Sequence, residues 1–163
     1  MNFLLVHGAG EEPSVWDGWE GTAIDLQAGL SVRVASMLNY EAVVACDGAL
    51  IARPLCLVGR GMGALAVLLA ARRVLPVALV LVEPWPPAGA GSPPEEPLAR
   101  ATRPESPLVL KECRHGLEAP RPEAPTLVVR NRAVAELYGA EELDAPDLAH
   151  AVSAWAFRAT ARV

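Results

Sequence analysis

Residues 55–74 read LCLVGRGMGALAVLLAARRV. The run LCLVG, 55–59, follows Pro54 and has no alternation of apolar and polar residues. Such a run fits a strand covered on both faces, as in a parallel sheet. The next stretch, 62–74, is built of strong helix formers and is apolar nearly all round, which predicts a buried helix. Arg72 and Arg73 stand in its last turn, where cations suit the helix dipole. A doubly covered strand that turns directly into a buried helix needs a layered α/β architecture around it.

The rest of the chain repeats the pattern. NFLLVHGAG opens it with another continuous apolar run that stops at glycines. A helix is expected from Val15, capped by Ser14, with Trp16, Trp19, Ala23 and Leu26 at spacings of three and four. Residues 31–38 read as a second strand, 40–52 as a helix with Gly48 inside it, 77–83 as a fourth strand and 126–130 as a fifth. A short helix over 105–114, a weak strand near 135–138 and a final helix over 145–161 complete the order. The expected fold is α/β: a mostly parallel central sheet of about five to six strands, helices on both faces, and right-handed crossovers.

Length and composition suit one domain spanning 1–163, since 52% hydrophobic residues can form a substantial core. A net charge of -5 argues against a nucleic-acid backbone as partner. The apolar stretch 62–82 is broken by Arg72, Arg73 and Pro76, so a membrane span is not expected, and FLLV is too short for a signal peptide. A cytoplasmic protein is the resulting expectation. Thirteen Arg against one Lys, Lys111, suggest a GC-rich, bacterial type of genome. Cys46, Cys56 and Cys113 are too few and too widely spaced for a disulfide framework or a zinc site, so no metal is expected. Eleven of the 15 prolines lie between Pro84 and Pro125. The segment 84–124 therefore reads as a rigid excursion over the sheet edge that carries the opening of a pocket.

LLVHGAG, LCLVGRGMGALAVLLAA, VALVLVEP, PTLVVR and DLAHAV, in that order, resemble the α/β-hydrolase family. The resemblance spans most of the chain and is patchy over 84–124. It implies a small version of the fold that starts at the family's third strand and carries the excursion in place of a full cap. It also places Gly61 at the nucleophile position of the elbow, where the family carries a side chain on a strained turn. Glycine removes the hydroxyl and the steric cost of that turn together. The same resemblance assigns backbone donors for an oxyanion to Met62 and to Ala9 or Gly10, with His7, Gly8 and Arg60 beside them. It assigns the base to His150, preceded by Ala149 where the family usually has Gly. After the fifth strand the family's Asp is missing from RNRAVAE, which leaves Glu83, at the end of the fourth strand, as the acid.

Each of these residues also has a plainer reading: His7 as a structural histidine, His150 as a surface or capping one, Glu83 as a solvated strand end. The glycines at 59, 61 and 63 do not match a dinucleotide or phosphate-loop spacing, so no nucleotide cofactor is expected. Three functions remain open at this point. One is a non-hydrolytic protein that binds a small carboxylate or ester, or a protein partner, in the elbow crevice. Another is an enzyme using His150 as general base without a serine nucleophile. The third is an interaction subunit, homo-oligomeric or bound to another chain.

Overall fold

A computed structural model describes residues 1–94 and 98–161. Residues 95–97, inside the proline-rich excursion, and 162–163 lie outside the described residues. Six strands form one sheet: β1 (Asn2–Val6), β2 (Thr22–Ile24), β3 (Leu55–Arg60), β4 (Ala78–Val82), β5 (Thr126–Val129) and β6 (Glu141–Leu143). Their order is β2-β1-β3-β4-β5-β6, and every pairing is parallel. The helices are α1 (Met37–Leu50), α2 (Met62–Val74), α3 (Pro107–His115), α4 (Arg132–Tyr138) and α5 (Leu148–Thr160). None of the described helices is long and apolar enough to cross a membrane.

The apolar strands explain the two layers. Successive side chains point to opposite faces of a strand, so Leu4, Val6, Leu55, Leu57, Leu79 and Leu81 pack into a core with α1 and α2. Phe3, Leu5, Cys56, Val58, Val80 and Val129 face the other way, against Val152, Trp155 and Ala156 of α5. Helices therefore cover both faces, as the continuous apolar runs require. Gly48 lets α1 lie close on α2: a Cβ there would come within 3.0 Å of Val74 Cγ1.

The elements from 55 to 82 fall where the sequence predicts them. The N-terminal connection does not. Residues 13–16 form a short 3-10 turn and 22–24 form β2, in place of a helix from Val15. Ser14 is exposed within that turn and caps nothing, since the capping position is Glu12, without a side-chain bond. The expected strand over 31–38 is a turn that leads into α1. Ser36 accepts from Asn39 N–H, and Asn39 Oδ1 accepts from Ser36 N–H, a reciprocal cap that starts the helix at Met37. Residues 135–138 are helical, capped by Asn131 and stopped by Gly139 at φ 61°. The sixth strand follows as β6.

Candidate functional site at the carboxyl ends of the strands

The central strands β3, β4 and β5 end together, and each is followed by a residue with positive φ: Gly61 at 53°, Glu83 at 44° and Arg130 at 56°. Two of these are not glycine, and a backbone of that kind persists only where surrounding structure holds it. Crevices at the carboxyl ends of parallel strands are where such sheets place ligands.

Gly61 is the pivot between β3 and α2, with φ 53° and ψ -120°. Its N–H donates to Val82 O at 3.0 Å, and its carbonyl accepts from Trp85 N–H at 3.0 Å and Ala64 N–H at 3.2 Å. The turn is thus clamped from the next strand and from the segment after it. The three glycines here serve two purposes. A Cβ on Gly59 would come 2.6 Å from Gly63 O, and one on Gly63 would come 2.2 Å from His7 O. Those two allow the helix to approach the strands. Around Gly61 there is room, because the nearest atom to a Cβ would be Trp85 Nε1 at 3.6 Å. Glycine at 61 answers the backbone angle, not crowding.

A cavity of about 420 Å³ opens over this turn. Gly8, Ala9, Arg60, Gly61 and Glu83 line it, as do Glu11, Trp85, Arg100, Arg130 and Asn131. The first group was singled out from the sequence. The second was missed, since nothing in the local pattern around Glu11 or Arg100 says that the fold brings them to Gly61. Met62, the first residue of α2, has no acceptor within its own helix for its N–H. That donor stands at the positive end of the helix dipole.

The loop after β1 is tied down by carboxylates. Gly8 N–H donates to Glu11 Oε2 at 2.7 Å, and Gly10 N–H donates to Glu105 Oε2 at 2.8 Å. Gly10, one of two residues proposed as an oxyanion donor, thus has its N–H engaged by a buried side chain. His7 is fully buried; its Nδ1–H donates to Gly8 O at 2.8 Å and its Nε2 accepts from Leu26 N–H at 3.0 Å. Both ring nitrogens hold backbone, which is a structural role.

Glu83 lies at the centre of an ion-pair cluster. Its carboxylate is 2.9 Å from Arg100 Nη1, 3.3 Å from Arg130 Nη1 and 3.5 Å from Arg60 Nη2. Arg60 also stands 3.7 Å from Glu11. Both Arg60 distances are ion pairs without a hydrogen bond, so its guanidinium donors have no hydrogen-bonded acceptor among the described residues. The hydrogen bonds to Asp144 and then Glu83 raise the Arg130 pKa above its ordinary value.

His150 is exposed on the first turn of α5, where its N–H donates to Asp147 Oδ1 at 3.2 Å. It does not line the cavity at Gly61, and no hydrogen bond or ion pair joins it to Glu83 among the described residues. The structure therefore brings Glu83 and Gly61 together and leaves His150 apart. The two buried cysteines offer no thiolate near neutral pH: burial pushes Cys56 and Cys113 up to about 12.

The excursion is anchored to the loop after β1. Thr102 and Arg103 N–H groups donate to Gly10 O, and Arg103 Nε donates to Glu11 O. Arg103 also grips Asp25 with both terminal nitrogens, at 3.0 and 2.5 Å. That contact holds the Asp25 carboxyl down at about 2, and it raises Arg103. Tyr40 donates to Glu105 at 2.5 Å; burial and that carboxylate raise its pKa. Another cavity, of about 910 Å³, lies at the other end of the sheet, beside Pro54, Val77 and Pro125, which precede β3, β4 and β5. It is far from the strand ends where the charged groups gather.

No protein-family model matches the chain, and no curated protein matches it in sequence. Solved structures do match. A thermophilic esterase superposes with a TM-score of 0.75 at 16% identity, over 97% of this chain and 90% of that one. A pyrethroid hydrolase from Sphingobium faniae JZ-2 gives 0.70 at 16% identity, over 100% and 99%. A methylesterase from Arabidopsis gives 0.67 at 13% identity, over 100% of both. With its parallel sheet and its helices on both faces, the chain has the fold of the α/β-hydrolases.

Proposed function

We propose that the chain is a non-hydrolytic binding protein that holds a small carboxylate, or an ester as its neutral analogue, in the cavity over Gly61. The observation that carries this reading is the clamped elbow with an empty side-chain position, at φ 53° and ψ -120°, facing the Trp85 indole nitrogen. In this reading Gly61 stands where a hydrolase of this fold carries its nucleophile. The cavity keeps what binds an acyl group and lacks what attacks it. The Trp85 indole N–H in the lining supplies a donor, and Arg60 supplies charge. The N–H of Met62, a buried residue next to Gly61 and outside the lining, points to the same turn from the head of α2 in this reading. Ala9, which also lines the cavity, is the second candidate backbone donor.

The competing enzymatic reading uses His150 as general base on water, with the Met62 N–H holding the oxyanion. A base has to come within hydrogen-bond reach of the proton it takes, and His150 lies outside the cavity lining. The test is a panel of p-nitrophenyl esters together with a fluorophosphonate probe. The proposal expects no turnover above the uncatalysed rate and no covalent label. Turnover that is abolished by His150→Ala would establish the enzymatic reading instead.

A further inference from the structure

Beyond the Arg60–Glu83–Arg100–Arg130 cluster lies a second cavity of about 510 Å³. Trp16 and Trp19, from the connection between β1 and β2, form one side of it, and residues 146–149 at the start of α5 form another. We propose that this cavity binds a planar aromatic carboxylate. The inference does not rest on the reading of the Gly61 cavity; the two share only the charged wall.

The aromatic part follows from the indoles. Trp16 and Trp19 meet edge to face, with ring centroids 4.9 Å apart and planes at 79°. Trp16 is buried and Trp19 half-buried, so the pair is anchored at one ring and open at the other. Gly18 between them has φ 87°, and a Cβ there would meet nothing within 4 Å. The turn is therefore not packed shut by the protein. The Trp16 indole N–H is buried and has no acceptor among the described residues, whereas buried indole N–H groups ordinarily find one. A ring stacking on this pair extends an aromatic contact already begun.

The carboxylate part follows from the arginines. Arg100 is 58% exposed, and its one hydrogen bond among the described residues is through Nη1 to Glu83. A guanidinium has five donors in a planar fork that matches a carboxylate. Arg130 is more fully engaged, by Asp144, Glu83 and Ala145 O. Arg100 is thus the ligand's charge partner, and Arg130 holds the wall. Of the two further acids lining the cavity, Asp147 is occupied as the cap of α5, and Asp17 is exposed.

The test titrates 1-naphthoate into the full chain, with cyclohexanecarboxylate and 2-naphthol as the ring-free and charge-free controls. Intrinsic fluorescence reads affinity, and indole N–H resonances read location. Naphthoate should bind at least ten-fold tighter than either control and should shift the Trp16 and Trp19 indole resonances but not that of Trp85. Trp19→Leu and Arg100→Gln, both at exposed or half-exposed positions, should each weaken it at least five-fold with the fold intact by circular dichroism. Equal affinity for all three compounds would overturn the proposal. So would naphthoate shifts confined to the Trp85 indole, which would place the ring over Gly61. Failure of propionate to bind over Gly61, with naphthoate binding as described, would remove the proposed function and leave this inference standing.

Discussion

The Trp85 indole nitrogen stands 3.6 Å from the point where a Cβ on Gly61 would sit. Trp85 N–H also donates to the Gly61 carbonyl at 3.0 Å. One residue thus fixes the turn through its backbone and faces the vacant side-chain position with its ring. In the proposed function a ligand oxygen sits beside Gly61 and accepts from this indole N–H.

The glycines of 59–63 should separate by substitution. Gly61→Ser meets no clash but must adopt positive φ, so it should fold and lose about 1–3 kcal/mol. Gly63→Ala would put a methyl 2.2 Å from His7 O. It should lose about 4 kcal/mol or more, a large part of a domain's margin. Urea denaturation of the two variants checks the order. A Gly61→Ser protein as stable as the parent would mean that position 61 has ordinary backbone angles.

Trp85→Phe keeps most of the buried ring and removes the indole N–H. It should lower affinity for propionate by about ten-fold or more, as expected for the loss of one hydrogen bond to a charged acceptor. Calorimetric titration reads the change, and an unaltered affinity would take Trp85 out of the site.

Glu83→Gln removes the negative charge shared by Arg60, Arg100 and Arg130 and keeps an acceptor oxygen. The cluster is partly exposed, so stability should fall by no more than about 1 kcal/mol. Propionate should bind several-fold tighter because three guanidinium groups lose their common counter-charge. The gain should shrink with added salt. Weaker binding in this variant would mean that Glu83 contacts the ligand directly.

Acid should loosen the excursion through Asp25. Its folded pKa, about 2, lies below the ordinary 3.8, chiefly because of the Arg103 hydrogen bonds. The unfolded chain therefore takes up the proton first as pH falls. The stabilisation is fully present above about 4 and is lost between about 4 and about 2. Allowing for solvent screening, it is on the order of 1 kcal/mol. Asp25→Asn should flatten that part of the stability-against-pH curve, and a variant with the parental acid slope would contradict this account.

The sequence is informative where burial leaves a pattern. β3, α2 and β4 were legible because strands covered on both faces must be apolar throughout, and a helix sandwiched between layers must be too. β2 and β6 were not. They are three-residue edge strands with mostly exposed side chains, TAI and EEL, and polar short edges carry no period. The cap at Ser36 carries no sequence signal, because Asn39 holds the position where Glu or Gln marks a capping box. At the site, the Gly61 turn was legible from local spacing alone. Glu11, Trp85 and Arg100 were not: Glu11 arrives through the pairing of β1 with β3, Trp85 through its N–H bond to Gly61 O, and Arg100 beside the bonds of Thr102 and Arg103 to Gly10, all of them long-range contacts. In the sequence Arg130 is only the end of an apolar strand; in the structure it has φ 56° and its Nη1 donates to Glu83.

The most direct measurement is a titration with propionate followed at the backbone amides of Gly61 and Met62 and at the Trp85 indole N–H, with methyl propionate added to a parallel sample. Saturable shifts of all three resonances with one affinity, and methyl propionate left intact, are the predicted result. Resonances that stay unmoved at saturating propionate, or release of methanol from the ester, would contradict the account.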